Sequence, residues 1–132
     1  MILLDTSYII SLLNKGDVHH SEAVKRMHGI REDEVVGTHP LVVQESVTVI
    51  ARKCREQSGE CSEWLTRVDD FMDGLRIVET LPPHDKIIEL MKTADCKLSY
   101  VDAALVLLSN LTRAPVLTFD KVLELFCEVD SN

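Results

Sequence analysis

Residues 2 to 4, Ile-Leu-Leu, form a short apolar run without alternation, the mark of a strand buried on both faces, and the run ends on Asp5. From Thr6 to Leu13 the apolar residues Tyr8, Ile9, Ile10, Leu12 and Leu13 keep helical spacing, and Asn14-Lys15-Gly16 supplies a stop. Asp17 is then placed to cap a second helix running to about His28. Glu34 to Thr38 reads as a second strand, broken by His39-Pro40, which opens a long helix carrying Leu41, Val42, Glu45 and Val49 and stopping near Ser58-Gly59. Cys61 to Met72 has Trp64, Leu65, Val68, Phe71 and Met72 at helical spacing, and Leu75 to Glu79 reads as strand. After Pro82-Pro83 a helix spans His84 to about Asp95, and Ser99 caps another, with Asp102 at the capping-box position. Pro115 to Thr118 is the last clear strand, followed by Phe119-Asp120, a helical turn over Lys121 to Leu125, and a possible edge strand reaching Val129.

Strand candidates alternate with helical stretches, and no two neighbouring strands are joined by a tight hairpin turn. That pattern predicts an α/β fold: a three-layer α/β/α sandwich around a mainly parallel sheet. The 132 residues suit one domain spanning 1–132, and 45% hydrophobic residues are enough to build its core.

Charge narrows the function. With 14 Lys+Arg against 22 Asp+Glu the net charge is -8, so nucleic acid is not held by a bulk basic surface and any anionic substrate must be met locally. Cys54, Cys61, Cys96 and Cys127 form no CxxC pair and are too sparse for a disulfide scaffold, which predicts reduced, mostly buried thiols. The amino terminus lacks a basic leader and no apolar run approaches a membrane span, so the expected location is the cytoplasm.

Four acids stand where acids are costly. Sites in parallel sheets form at the carboxyl ends of strands, and Asp5 and Asp120 both end strands there. Glu45 and Asp102 lie inside apolar stretches, Leu-Val-Val-Gln-Glu-Ser-Val and Tyr-Val-Asp-Ala-Ala-Leu. Carboxylates about 5 Å apart repel by roughly 3 kcal/mol per pair at an effective dielectric near 20. A divalent cation relieves that repulsion, and an all-oxygen site suits Mg²⁺ or Mn²⁺. The chemistry that follows is hydrolysis of a phosphodiester by water activated at the ion.

The opening Leu-Leu-Asp-Thr-Ser, the helical Glu45, the phrase Leu98-Ser99-Tyr100-Val101-Asp102-Ala103 and the closing Leu117-Thr118-Phe119-Asp120-Lys121 together resemble the PIN-domain family, particularly VapC-type toxins of toxin-antitoxin pairs. The resemblance covers essentially the whole chain. It implies an α/β/α sandwich, a Mg²⁺ or Mn²⁺ site, endoribonuclease activity on RNA, a homodimer, and inhibition by a small cognate antitoxin. It further implies Asp5, Glu45, Asp102 and Asp120 as the acidic quartet, with Asp5 and Asp102 ahead of the other two as direct ligands. Thr118 matches a hydroxyl position beside the fourth acid, and Thr6 and Ser7 match the polar pair after the first.

Each acid also has an ordinary alternative: Asp5 as a helix cap, Asp102 as a first-turn acid favoured by the helix dipole, Glu45 on a solvated helix face, Asp120 in a turn. Arg52, two turns past Glu45, with Lys53 beside it, and Arg113, which would share the face of Asp102 if that helix ran so far, are candidates for flanking phosphates or simply solvated charges. The five histidines show no metal-binding spacing and read as surface or structural. Trp64, Phe71 and Met72 read as core or dimer seam, and Cys54 and Cys61 as inert. Two other functions compete: a non-catalytic PIN-like module binding RNA or protein, and a phosphotransferase or receiver-like domain using Asp5. A haloacid-dehalogenase-like enzyme would want a second acid where Ser7 stands.

Overall fold

The computed structural model describes residues 1–57 and 59–127. Within these residues four parallel strands, β1 (Ile2–Leu4), β2 (Val36–Thr38), β3 (Arg76–Ile77) and β4 (Val116–Leu117), form one sheet in the order β3-β2-β1-β4. β1 is central, pairing Leu3 with Gly37 on one side and with Val116 on the other, and Leu3 and Leu4 are wholly buried. An unbroken apolar run is what a strand covered on both faces requires.

Among the described residues seven helices connect and cover the sheet: α1 (Thr6–Leu13), α2 (His20–His28), α3 (Pro40–Glu56), α4 (Cys61–Asp73), α5 (His84–Thr93), α6 (Tyr100–Thr112) and α7 (Lys121–Phe126). The chain steps outward from β1 through β2 to β3 and then returns past all of them to β4. Right-handed crossovers therefore put α1 to α4 on one face and α5 and α6 on the other. The packing agrees, with α1 against α2 and α3, α3 against α4, and α6 against α5 and α7. This is the expected α/β/α sandwich. Its strand order reverses beside β1, between β1 and β4, and in such sheets the crevice opens at the carboxyl ends of those two strands. The same order excludes a receiver domain, in which the first strand lies between the second and third.

Local chemistry sets most boundaries. Pro40 begins α3 behind His39, whose Nδ1 accepts the Leu41 N–H at 3.0 Å. Ser99 caps α6 by accepting the Asp102 N–H at 3.1 Å. Gly37 is needed for β2 to lie against β3, because a Cβ there would sit 2.7 Å from the Arg76 carbonyl oxygen.

Several expectations change. Asp17 does not cap α2, which starts three residues later behind His19; its Oδ1 accepts from the His19 N–H at 2.8 Å and from Ser11 Oγ at 3.0 Å, closing the turn before the helix. The third strand shrinks from 75–79 to Arg76–Ile77, both exposed on a sheet edge where apolar residues gain little from pairing. Cys54 is buried and Cys61 and Cys127 half-buried, all free as expected, but Cys96 is exposed at a left-handed turn. The possible edge strand to Val129 lies outside the described residues. Met72 is buried, and Trp64 and Phe71 pack against the core. Among the described residues no helix is long and apolar enough to cross a membrane.

Candidate active site

The carboxyl end of β1 delivers Asp5 directly into the first turn of α1. Asp5 is 2% exposed, and its two oxygens collect three donors. Oδ1 accepts the Tyr8 N–H at 2.8 Å, the Ser7 hydroxyl lies 2.9 and 3.0 Å from the two oxygens, and Thr118 Oγ1 donates to Oδ2 at 2.5 Å. The helix-cap role and the site role thus coincide in one residue. Burial nevertheless dominates and pushes the Asp5 carboxyl up to about 6; the hydrogen bonds from Thr118, Tyr8 and Ser7 pull the other way, and the charge of Asp102 adds to the rise.

Thr118, at the carboxyl end of β4, ties the first acid to the fourth. Its oxygen also accepts the Asp120 N–H at 2.9 Å, and Asp120 in turn caps α7, Oδ1 accepting from Val122 and Leu123 at 2.9 and 3.2 Å. Ser7 Oγ accepts the Phe119 N–H at 3.0 Å. Since the one Ser7 hydroxyl proton is spent on Asp5, Ser7 acts as a strut between β1 and β4 and offers a substrate no free donor.

Asp102 enters from the first turn of α6 and is half-buried. Burial raises its carboxyl above the usual range, Glu45 and Asp120 raise it further, and hydrogen bonds from Ser99 hold it down. Glu45, half-buried on α3, reaches this neighbourhood because α3 and α6 touch across the crevice. The four acids are therefore one electrostatic group: Asp5 responds to Asp102, and Asp102 to Glu45 and Asp120. Among the described residues, however, no three acidic, histidine or cysteine side chains are gathered closely enough to hold an ion as they stand. Asp5, Asp102 and Asp120 each spend oxygens on their own loop and helix end.

The donor set fits a hard divalent cation. All four donors are carboxylates, and no Lys or Arg is among the groups that shift Asp5 or Asp102. The hydroxyls of Thr6 and Ser46, each directly after an acid, are buried without a hydrogen-bond partner, as is His39 Nε2; unmet buried polar atoms are uncommon in folded proteins.

The basic candidates separate. Arg52 is exposed on α3, on the helix face that also carries Glu45. Lys53 is half-buried in a groove with Ile10, Leu13, Cys54 and Trp64, between α1, α3 and α4. Arg113 is not brought to the acids. α6 ends at Thr112, and Arg113 is its left-handed cap, φ 56°, about 16 Å along the axis from Asp102 and at the entry to β4 rather than its exit. Sequence reasoning missed Phe119, His19 and Arg26. The His19 and Phe119 rings stack with centroids 4.4 Å apart, and the Arg26 guanidinium lies 4.9 Å from the Phe119 centroid. No local spacing announces a contact between the turn before α2 and the exit of β4.

Fold and site together define a parallel α/β domain with an acidic crevice where its strand order reverses. Residues 2–130 match the PIN domain, and the chain belongs to that family. Among solved structures it is similar to VapC20 of Mycobacterium tuberculosis, a toxin that cleaves the sarcin-ricin loop, at 20% identity and a TM-score of 0.76, covering 95% of this chain and 94% of that one. It is also similar to PAE2754 of Pyrobaculum aerophilum, at 20% identity and a TM-score of 0.66, covering 97% and 85%. At these identities the shared property is the fold. No curated protein sequence matches significantly.

Proposed function

We propose that this protein is an endoribonuclease dependent on Mg²⁺ or Mn²⁺, the toxin of a toxin-antitoxin pair, hydrolysing RNA phosphodiester bonds. The observation that carries the reading is the electrostatic coupling of Asp5, Glu45, Asp102 and Asp120 at the carboxyl-end crevice of a PIN-domain sheet, with no cationic group shifting either of its two perturbed acids. Asp5 and Asp102 would hold the ion, with Glu45 and Asp120 completing the negative wall. A divalent cation bound there supplies Lewis acidity, lowering the pKa of water and steadying the leaving oxygen.

The chain's own residues do the rest. Thr118 and Ser7 fix the orientation of the Asp5 carboxylate, so its position does not have to be found in each catalytic cycle. The amino ends of α1 and α6, at Asp5 and Ser99, bring unpaired N–H groups and partial positive charge to a molecule of net charge -8, favouring an incoming phosphate. Arg52, on the Glu45 face of α3, is placed to meet a flanking phosphate. The likeness of fold to a toxin that cleaves the sarcin-ricin loop supports RNA as the substrate class, and the reading includes a second copy of the chain and a small antitoxin as partners.

The test is incubation of the purified protein with total RNA, with and without Mn²⁺, beside Asp102→Asn. Discrete fragments that need both the ion and Asp102 are expected. Intact RNA in every lane, or equal cutting by the variant, overturns the proposal.

A further inference from the structure

Beside the acids stands a group of rings that the hydrolytic chemistry does not use. Tyr8 is wholly buried and anchored by its hydroxyl, which donates to the Ala23 carbonyl at 2.6 Å. Phe119 stacks on it with centroids 5.7 Å apart and planes 14° from parallel. His19 stacks on Phe119 at 4.4 Å and 6°, yet His19 itself is exposed. The rings thus pass from core to solvent, Phe119 being common to both pairs. Edge-to-face contacts are as favourable as offset stacking inside proteins, so burial alone does not demand this alignment. A near-parallel stack ending in an exposed ring is the shape that another flat π system extends.

Its place in the fold gives it a use. Phe119 is the residue between Thr118 and Asp120, and its N–H donates to Ser7, which holds Asp5. The stack is therefore rigidly referenced to the acids. Arg26 lies over the same Phe119 ring at 4.9 Å, its charge shared with Glu22 at 3.2 Å, and so brings a cation to the edge of an otherwise acidic crevice.

We infer that the exposed face of His19, held flat on Phe119, is a stacking seat for an unpaired RNA base next to the scissile phosphate, with Arg26 beside it to meet the backbone. This rests on the reading of the acids as a ribonuclease site and deepens it. The preferred substrate is single-stranded at that nucleotide, because a base paired in a duplex has no free face. His19 is a positioning residue and touches no reacting atom.

Binding of a short fluorescent single-stranded RNA, followed by anisotropy in the Asp102→Asn background, tests the seat without requiring cleavage. His19→Ala should weaken binding roughly 5- to 150-fold, the usual worth of one stacked base, with the melting temperature unchanged. His19→Phe should restore most of it. Moving a single abasic nucleotide along the RNA should find one position where the loss matches His19→Ala and where that variant loses nothing more. Affinity indifferent to His19, an abasic loss that persists in full in His19→Ala, or no RNA binding at all overturns the inference. Cleavage by the parent with Mn²⁺ is scored separately. Cleavage without His19-dependent binding sinks the seat alone, whereas His19-dependent binding without cleavage sinks the ribonuclease and keeps the seat.

Discussion

Thr118 Oγ1 donates to Asp5 Oδ2 at 2.5 Å across 113 residues of sequence, and the same oxygen accepts the Asp120 N–H at 2.9 Å. One hydroxyl thus fixes the geometry of two acids that follow neighbouring strands. Thr118→Val keeps the shape and removes the hydroxyl. It should cost about 1–3 kcal/mol, because the buried Asp5 oxygen and the Asp120 N–H lose their partner. It should also raise the Asp5 carboxyl further, since the Thr118 bond is the largest influence holding it down. Thr118→Ser should restore stability. Denaturant unfolding of the three proteins at pH 7 checks the order, and equal stability of the Val and parent proteins would remove Thr118 from the network.

The Asp5 carboxyl makes stability depend on pH with a definite sign. Folded, its carboxyl is raised to about 6 from the ordinary 3.8 of an aspartate side chain, so between about pH 4 and pH 6 the folded protein holds a proton the unfolded chain has released. Stability conferred through this group therefore falls as pH rises through that window, with the full penalty present above it. The size is about 3 kcal/mol at 1.36 kcal/mol per unit. Asp102 is raised as well and acts in the same direction.

Asp5→Asn isolates that contribution. The amide oxygen can keep the Tyr8 N–H, and its NH₂ can donate to Thr118, whose hydroxyl retains a free lone pair. Without added metal the variant should be more stable than the parent at pH 7 by about 1–3 kcal/mol, similar to it near pH 4, and inactive on RNA. Thermal melts from pH 4 to 8 decide; a variant that melts below the parent at pH 7 would mean that the buried Asp5 charge does not burden the fold.

A divalent ion bound by these carboxylates should act on stability in the opposite sense to that charge penalty. Mg²⁺ or Mn²⁺ at one hundred times its dissociation constant stabilises the fold by about 2.7 kcal/mol, a rise in melting temperature of roughly 10 °C for a chain of this size. EDTA should reverse the rise, and Asp102→Asn should abolish most of it. An ion-independent melt would deny the four acids a resident cation.

Much of this was legible locally. Asp5 and Asp120 stand out in the sequence only jointly with the other acids, because an acid after a short strand is as readily a helix cap or turn residue, and both do cap helices here; Glu45 stands out by itself because it shares a stripe with Leu41, Val42 and Val49. The helix starts at Pro40 and Ser99 were legible because capping depends on nearest neighbours. What stayed hidden joins distant parts of the chain: Ser7 to Phe119 across 112 residues, and His19 to the exit of β4. Arg113 misled for a related reason. Helical spacing counts only the angle about α6, whereas eleven residues of rise carry Arg113 to the far end of the helix, which stops at Thr112.

Arg52 offers the last test, because its proposed role is electrostatic and long-ranged rather than geometric. It is exposed and lies two turns along α3 from Glu45, on the same face. A phosphate contact releases about one counterion, so Arg52→Ala should weaken RNA binding at low salt and reduce the slope of log affinity against log salt by about 1, while leaving the fold and its melting temperature unchanged. Binding of single-stranded RNA measured between low and physiological salt reads both effects. In a protein of net charge -8, each cation near the crevice should carry an unusual share of the attraction. An unchanged slope would assign Arg52 to the solvated surface and shift the phosphate contacts to the helix amino ends at Asp5 and Ser99, which respond only weakly to salt because their charges are partial and fixed.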